Sequence, residues 1–145
     1  MARTVSSAAR RIGPVLLVDD YDDARVLLRE ALENAGYHVV EAADGQQALH
    51  LLVAADRERF ALIILDLQMP VMDGWQLLEL LRRYVTLAKI PVIIVTAHEP
   101  RLEQLTHPNV FGCLHAPYSI EDLISLTDAC MVGARSPVSK EAREG

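Results

Sequence analysis

Apolar residues in this chain follow two alternating rhythms. Val15 to Val18 and Leu62 to Leu65 are short runs without a polar interruption, as expected of strands buried on both faces. Ile90 to Thr96 is a third such run, with Pro91 near its start, where a missing N–H is tolerated. His38 to Ala42, rich in β-branched residues at Val39 and Val40, and Val110 to Leu114 complete a set of five expected strands.

Between these runs the spacing changes to that of helices. Ala24, Leu27, Leu28, Ala31 and Leu32 recur at helical intervals over Asp22 to Ala35, and Gly36 follows as a stop signal. Asp44 is placed to cap a second helix, with Gln47 reaching back, that runs to about Asp56; the charged stretch Asp56 to Arg59 then reads as a solvated loop. Leu77, Leu78, Leu80 and Leu81 mark a third helix from Gly74 to Tyr84. Pro100 to Leu105 allows only a short fourth helix before Thr106-His107-Pro108-Asn109 breaks it. Ser119, with Asp122 three positions on, opens a fifth helix through Leu123, Ile124, Leu126 and Ala129.

Five strands alternating with helices imply βαβ units, hence a doubly wound α/β domain with a five-stranded parallel sheet. At 145 residues, with 51% hydrophobic content, the chain supports one domain with a sizeable core. Its expected limits are 14–132, between a flexible arm at 1–13 and a flexible tail at 133–145. A formal net charge of -6 argues against direct nucleic-acid binding through a broad basic face. No apolar run approaches the ~20 residues of a membrane span, so no membrane partner is expected. Cys113 and Cys130 make no disulfide framework or C-x-x-C pair, which favours a cytoplasmic, reduced-thiol setting.

Candidate chemistry lies where polar residues end the most apolar strands. Asp19 and Asp20 end the first, Asp66 the third and Thr96 the fourth, so all four are expected on one edge of the sheet, where open α/β folds bind ligands. Carboxylates gathered there repel each other, by on the order of 4 kcal/mol per pair of full charges at ~4 Å and an effective dielectric near 20. A divalent cation reverses that repulsion, and an all-oxygen donor set favours Mg²⁺ over zinc. A carboxylate beside Mg²⁺ at an exposed strand end can attack phosphorus, and a neighbouring hydroxyl such as that of Thr96 can hold a phosphoryl oxygen. The plainer alternative is that Asp19 or Asp20 merely caps the following helix.

In these features the stretch from Val15 to Met131 resembles the receiver domain of two-component response regulators. The resemblance rests on Val15-Leu16-Leu17-Val18-Asp19-Asp20, on Leu65-Asp66-Leu67-Gln68-Met69-Pro70-Val71-Met72-Asp73-Gly74, and on Val92-Ile93-Ile94-Val95-Thr96-Ala97. It implies a flavodoxin-like (βα)5 fold with Asp66 as phosphoacceptor and Thr96 as switch hydroxyl. Mg²⁺ would be held by Asp19, Asp20, Asp66 and the backbone carbonyl of Gln68. It further implies a phosphoprotein that takes its phosphoryl group from a histidine kinase or phosphotransfer protein. Such a protein acts on a downstream protein target, as a monomer or weak homodimer, and is not an enzyme beyond its own phosphorylation and dephosphorylation.

Two positions depart from the family pattern. Receivers usually carry a lysine before the proline that follows the fifth strand; here Leu114-His115-Ala116-Pro117-Tyr118 places Ala116 there. Three positions earlier, where the family often has a switch aromatic, stands Cys113. His115 is expected to point away from Ala116 and to pack against an adjacent helix rather than replace the lysine. Trp75 is expected as a packing residue, His98 and Glu99 either shape access to the site or belong to a solvated loop, and His38, His50 and His107 show no metal-ligand spacing.

Three function classes follow. One is a stand-alone phosphoryl-accepting receiver. Another is a degenerate receiver that binds partners without phosphorylation, for which Ala116 and the short Glu99 to Asn109 segment speak. The third is a haloacid dehalogenase type phosphatase, suggested by Asp20-Tyr21-Asp22 but lacking the cap domain and downstream basic residue of such enzymes.

Overall fold

The computed structural model describes residues 13–54, 60–67, 74–84, 87–97 and 99–133. Nearly all of the expected arm and tail, the charged loop at Asp56 to Arg59, and the turn Gln68 to Asp73 lie outside the described residues. Five strands alternate with five helices: β1 Val15–Val18, α1 Asp22–Asn34, β2 Val39–Ala42, α2 Gly45–Ala54, β3 Leu62–Asp66, α3 Gly74–Leu81, β4 Val92–Thr96, α4 Leu102–Leu105, β5 Val110–His115 and α5 Ile120–Met131. The sheet is parallel throughout, in the order β2-β1-β3-β4-β5, which is the doubly wound arrangement expected from the alternation.

Strand side chains alternate between two cores. Leu16, Val18, Ile63, Leu65, Val92 and Ile94 meet α2 and α3 through Ala48, Leu52, Leu77, Leu78 and Leu81. Val15, Leu17, Leu62, Ile64, Ile93 and Val95 meet α1 and α5 through Leu28, Leu32, Leu123 and Ile124. Every residue from Val15 to Val18 and from Leu62 to Leu65 has zero solvent exposure, so β1 and β3 form the centre of the sheet. At ~25 cal/mol per Å² of apolar area, each such side chain contributes about 2 kcal/mol through burial.

The ends of the helices follow local chemistry. Asp44 accepts from the Gln47 N–H at 2.8 Å while the Gln47 side chain accepts from Ala43 N–H at 2.9 Å, the reciprocal pair expected at the start of α2. Ser119 and Asp122 form the same device at α5. Gly36, at φ 99°, takes the left-handed conformation after α1. Two boundaries differ from the periodicity. The helical pattern to Tyr84 ends at Leu81 and continues as turns, and the apolar run at Ile90 joins the sheet only from Val92 because Pro91 has no N–H to donate.

Two contacts in this frame bear on the site edge and on the loop before β5. The Gly74 N–H donates to the Leu67 carbonyl at 2.9 Å, and a Cβ at Gly74 would lie 2.6 Å from the Asp66 carbonyl oxygen and from the Leu67 α-carbon. Helix α3 therefore starts against the backbone that carries Asp66. His107, without metal-ligand spacing in the sequence, is buried between α4 and β5. Its Nδ1 accepts from the Asn109 N–H at 3.2 Å, its ring stands edge-on to Trp75, and its Nε2 lies 3.7 Å from a Glu79 carboxylate oxygen. Trp75 is the packing residue expected, half-buried against the α2/α3 core.

Gly74→Ala is expected to destabilise the domain by roughly 1–3 kcal/mol, through overpacking against backbone that cannot yield; a lowered urea midpoint checks it. Burial, followed in size by the opposing effect of Glu79, holds the His107 imidazole below its ordinary value of 6.5. The unfolded ring binds a proton that the buried ring refuses. His107 therefore contributes no penalty above 6.5, and stability falls as pH drops below that value towards the depressed folded pKa. Urea unfolding at about pH 7.5 and about pH 5.5 is expected to show the loss, and His107→Gln to reduce it.

Candidate functional site

Pairing between β1 and β3 matches Val18 with Leu65, so the next residue of each strand, Asp19 and Asp66, emerges side by side at the carboxyl edge. This is also where the strand order reverses, since β2 lies on one side of β1 and β3 on the other. Carboxylate oxygens of Asp19, Asp20 and Asp66 all lie within 4.8 Å of one another. Asp19 is buried, Asp66 half-buried and Asp20 exposed, so the cluster grades from core to solvent.

The Asp19 side chain does not cap α1, whose N-cap residue is Tyr21. Its Oδ1 instead accepts from the Tyr21 N–H at 2.9 Å, within the acidic loop itself. Burial foremost pushes the Asp19 carboxyl above the ordinary aspartate range; the Tyr21 N–H opposes this, the Asp20 charge adds to it, and Arg25 opposes it. The Asp19 carboxyl is thus harder to keep charged because of its burial and the neighbouring Asp20. An all-oxygen set of this kind suits a hard divalent cation that takes one or two carboxylates and keeps waters, which is the fit expected of Mg²⁺.

Arg25 reaches this edge from α1, a role that helical periodicity alone does not show. Its Nη1 donates to the Asp19 carbonyl at 2.7 Å, its Nη2 to Asp22 at 2.6 Å and its Nε to Glu41 of β2 at 3.1 Å. Arg29 donates to the other Glu41 oxygen at 2.8 Å. Arg29 first, and Arg25 with it, hold the Glu41 carboxyl below its usual range.

Thr96 ends β4 on the same edge and is buried; its carbonyl accepts from the Ala116 N–H at 2.8 Å, which ties the end of β5 to that of β4. Ala116 stands where a lysine was expected from the resemblance. Two residues further on, burial and then the Asp19 and Asp66 charges push the Tyr118 phenol above its usual range, so this hydroxyl lies within the field of the acidic cluster and stays protonated. Nothing in the sequence pattern singled it out. His115 departs from its expected packing against a helix: it is 44% exposed, with Nδ1 3.7 Å from Glu99, because β5 runs one residue past the core and leaves it at the rim. Glu99 itself is exposed. Burial pushes the Cys113 thiol up to about 11, so it is inert at neutral pH. Gln68 and His98 lie outside the described residues.

A family model described as "Response regulator receiver domain" matches residues 15–128. The chain belongs to that family. This receiver is 37% identical over 114 residues to the probable transcriptional regulator ycf29 of Porphyra purpurea, a match that covers 77% of the chain and 53% of the relative. It is 35% identical over 112 residues to sporulation initiation phosphotransferase F of Bacillus subtilis, covering 75% of the chain and 86% of that protein. The chain thus spans about half the length of the first relative and most of the second.

Among solved structures, chemotaxis protein CheY4 of Vibrio cholerae superposes with a TM-score of 0.71 at 30% identity, over 82% of this receiver and 98% of that chain. The receiver domain of a Pseudomonas aeruginosa sensor histidine kinase, solved with a magnesium ion coordinated in its active site cleft, gives 0.71 at 26% identity, over 84% and 98%. The flavodoxin-like receiver fold is therefore established, and the family it belongs to is one of signalling domains. Among the described residues, no helix of this receiver is long and apolar enough to cross a membrane.

Because the Asp19 charge is held in place against both burial and Asp20, Asp19→Asn is expected to raise the melting temperature of the metal-free receiver by a few degrees. The same variant is expected to lose most of the stabilisation that wild type gains from Mg²⁺, which thermal scans with and without the ion will show.

Proposed function

We propose that this receiver accepts a phosphoryl group on Asp66 from a histidine kinase or phosphotransfer protein and passes the signal on through contact with a downstream protein. The observation that carries the proposal is the close grouping of Asp19, Asp20 and Asp66 at the switch point of the sheet. Asp19 and Asp20, with Asp66 and the Gln68 carbonyl, are the residues that would hold Mg²⁺, which supplies charge neutralisation for phosphoryl transfer. One Asp66 carboxylate oxygen forms the new bond to phosphorus, the bond from phosphorus to the donor breaks, and the electron pair leaves with the donor. An acyl phosphate results.

In this reading Thr96 is the switch hydroxyl. It continues the strand series of Val92 and Ile94, which faces α3, whereas Asp19 and Asp66 continue the series that faces α1 and α5. A hydroxyl that turns towards a phosphoryl oxygen on Asp66 therefore draws on the other core. Ala116 removes the charge-assisted contact that an ammonium would make, worth about 1.5 to 3 kcal/mol, so the coupling between phosphorylation and shape is weaker while the transfer chemistry is retained. The receiver works in the cytoplasm, as a monomer or weak homodimer, without contacting nucleic acid or membrane.

Incubation with Mg²⁺ and acetyl phosphate is expected to give a single phosphoryl adduct by intact mass, with acetate as leaving group. Asp66→Asn is expected to abolish it. A wild-type protein that stays unmodified, and binds no Mg²⁺, refutes the proposal in favour of a receiver that works through phosphorylation-independent binding.

A further inference from the structure

We propose that Arg25 is a positioning residue that sets the preference of the acidic site for Mg²⁺ over Ca²⁺; this rests on the reading of Asp19, Asp20 and Asp66 as metal ligands. Arg25 touches no carboxylate of that cluster. It holds the loop that presents them, by the Asp19 carbonyl at one end and the Asp22 side chain at the other, 2.7 and 2.6 Å away. Between these anchors the Asp19 side chain is itself fixed by the Tyr21 N–H. Asp20, which is exposed, sits in the loop between these fixed points.

A cation beside a cation site would ordinarily weaken it by repulsion. Here the Arg25 charge faces Asp22 and Glu41, and Arg29 faces Glu41 and Glu33, so two guanidinium groups are matched by three carboxylates. The Arg25 charge also acts on the Asp19 carboxyl, the least of the influences there, and what Arg25 adds beyond that is geometry. The anchor behind it is β2, through Glu41, so the acidic loop is referenced to the sheet and not only to the start of a helix.

Geometry is what separates the two ions. Mg²⁺ demands near-ideal octahedral placement at about 2.0–2.1 Å, whereas Ca²⁺ accepts irregular shells at about 2.3–2.6 Å. A loosened acidic loop costs the first ion more than the second. Residues that hold metal ligands in place typically change affinity by about 10–100-fold when lost. Lysine does not substitute, because a rotatable ammonium on a shorter reach cannot make the three directed contacts of a planar guanidinium.

Calorimetric titration of the full chain with Mg²⁺ and, separately, with Ca²⁺ tests this. Arg25→Gln and Arg25→Lys are each expected to lose Mg²⁺ affinity on the order of tenfold and Ca²⁺ affinity by roughly threefold at most, so the ratio falls. Arg29→Gln, which removes a Glu41 partner without touching the Asp19 carbonyl, is expected to keep the ratio, with circular dichroism confirming that each variant is folded. Should Arg25→Gln fail to fold, Arg25→Lys decides. A ratio that is unchanged in the Arg25 variants, or that falls as far in Arg29→Gln, overturns the proposal while the metal reading stands. A wild-type chain that binds neither ion overturns both.

Discussion

The register between β1 and β3 is the constraint on which the rest of this receiver depends. Because Val18 pairs with Leu65, the carboxylates of Asp19 and Asp66 leave the sheet together, and a slip of one residue would turn both strands inside out. Such a slip is closed off by the two cores: each strand carries apolar residues on both faces, and those faces meet different helices through different side chains. The cost of placing charges side by side is thus borne by burial elsewhere, and the repulsion it leaves behind is what makes the edge receptive to a cation.

Helices then refine what the strands set. The start of α3 presses Gly74 against the Asp66 backbone, and α1 delivers Arg25 to the Asp19 carbonyl. The two acids are held from opposite sides of the sheet. At the β5 end the support is thinner: the Ala116 N–H reaches the Thr96 carbonyl, but the side chain at that position offers neither charge nor donor. Helix α4 is only four residues long. The edge that carries the acidic cluster is therefore built more firmly than the β5 end of the domain.

Most of this architecture was legible in the residues themselves, and the reason is physical. Uninterrupted apolar runs have few places to go, so β1, β3 and β4 were visible from composition alone, and Asp19, Asp66 and Thr96 were conspicuous as polar residues that end them. Caps such as Ser119 with Asp122 act within four residues and were readable for the same reason. Arg25 was not, because a long cation on an amphipathic helix looks like any solvated one until its partners on β1 and β2 are known. Neither was the burial of His107, which depends on Trp75 and Glu79 from a distant helix, nor the approach of Tyr118 to the acids. His115 was misjudged because alternation tells which way a side chain points but not whether anything lies in that direction.

One feature of the clamp reaches beyond the site. Glu41 lies on β2, an edge strand of the sheet, and it is bound there by Arg25 and Arg29. An exposed strand edge is a template on which further strands can add, and natural proteins discourage this by keeping charge on it. Any chain that extended the sheet at β2 would have to strip water from this carboxylate and disturb both of its guanidinium partners. The arginine that holds the Asp19 carbonyl is thereby tied to the edge strand of the sheet as well.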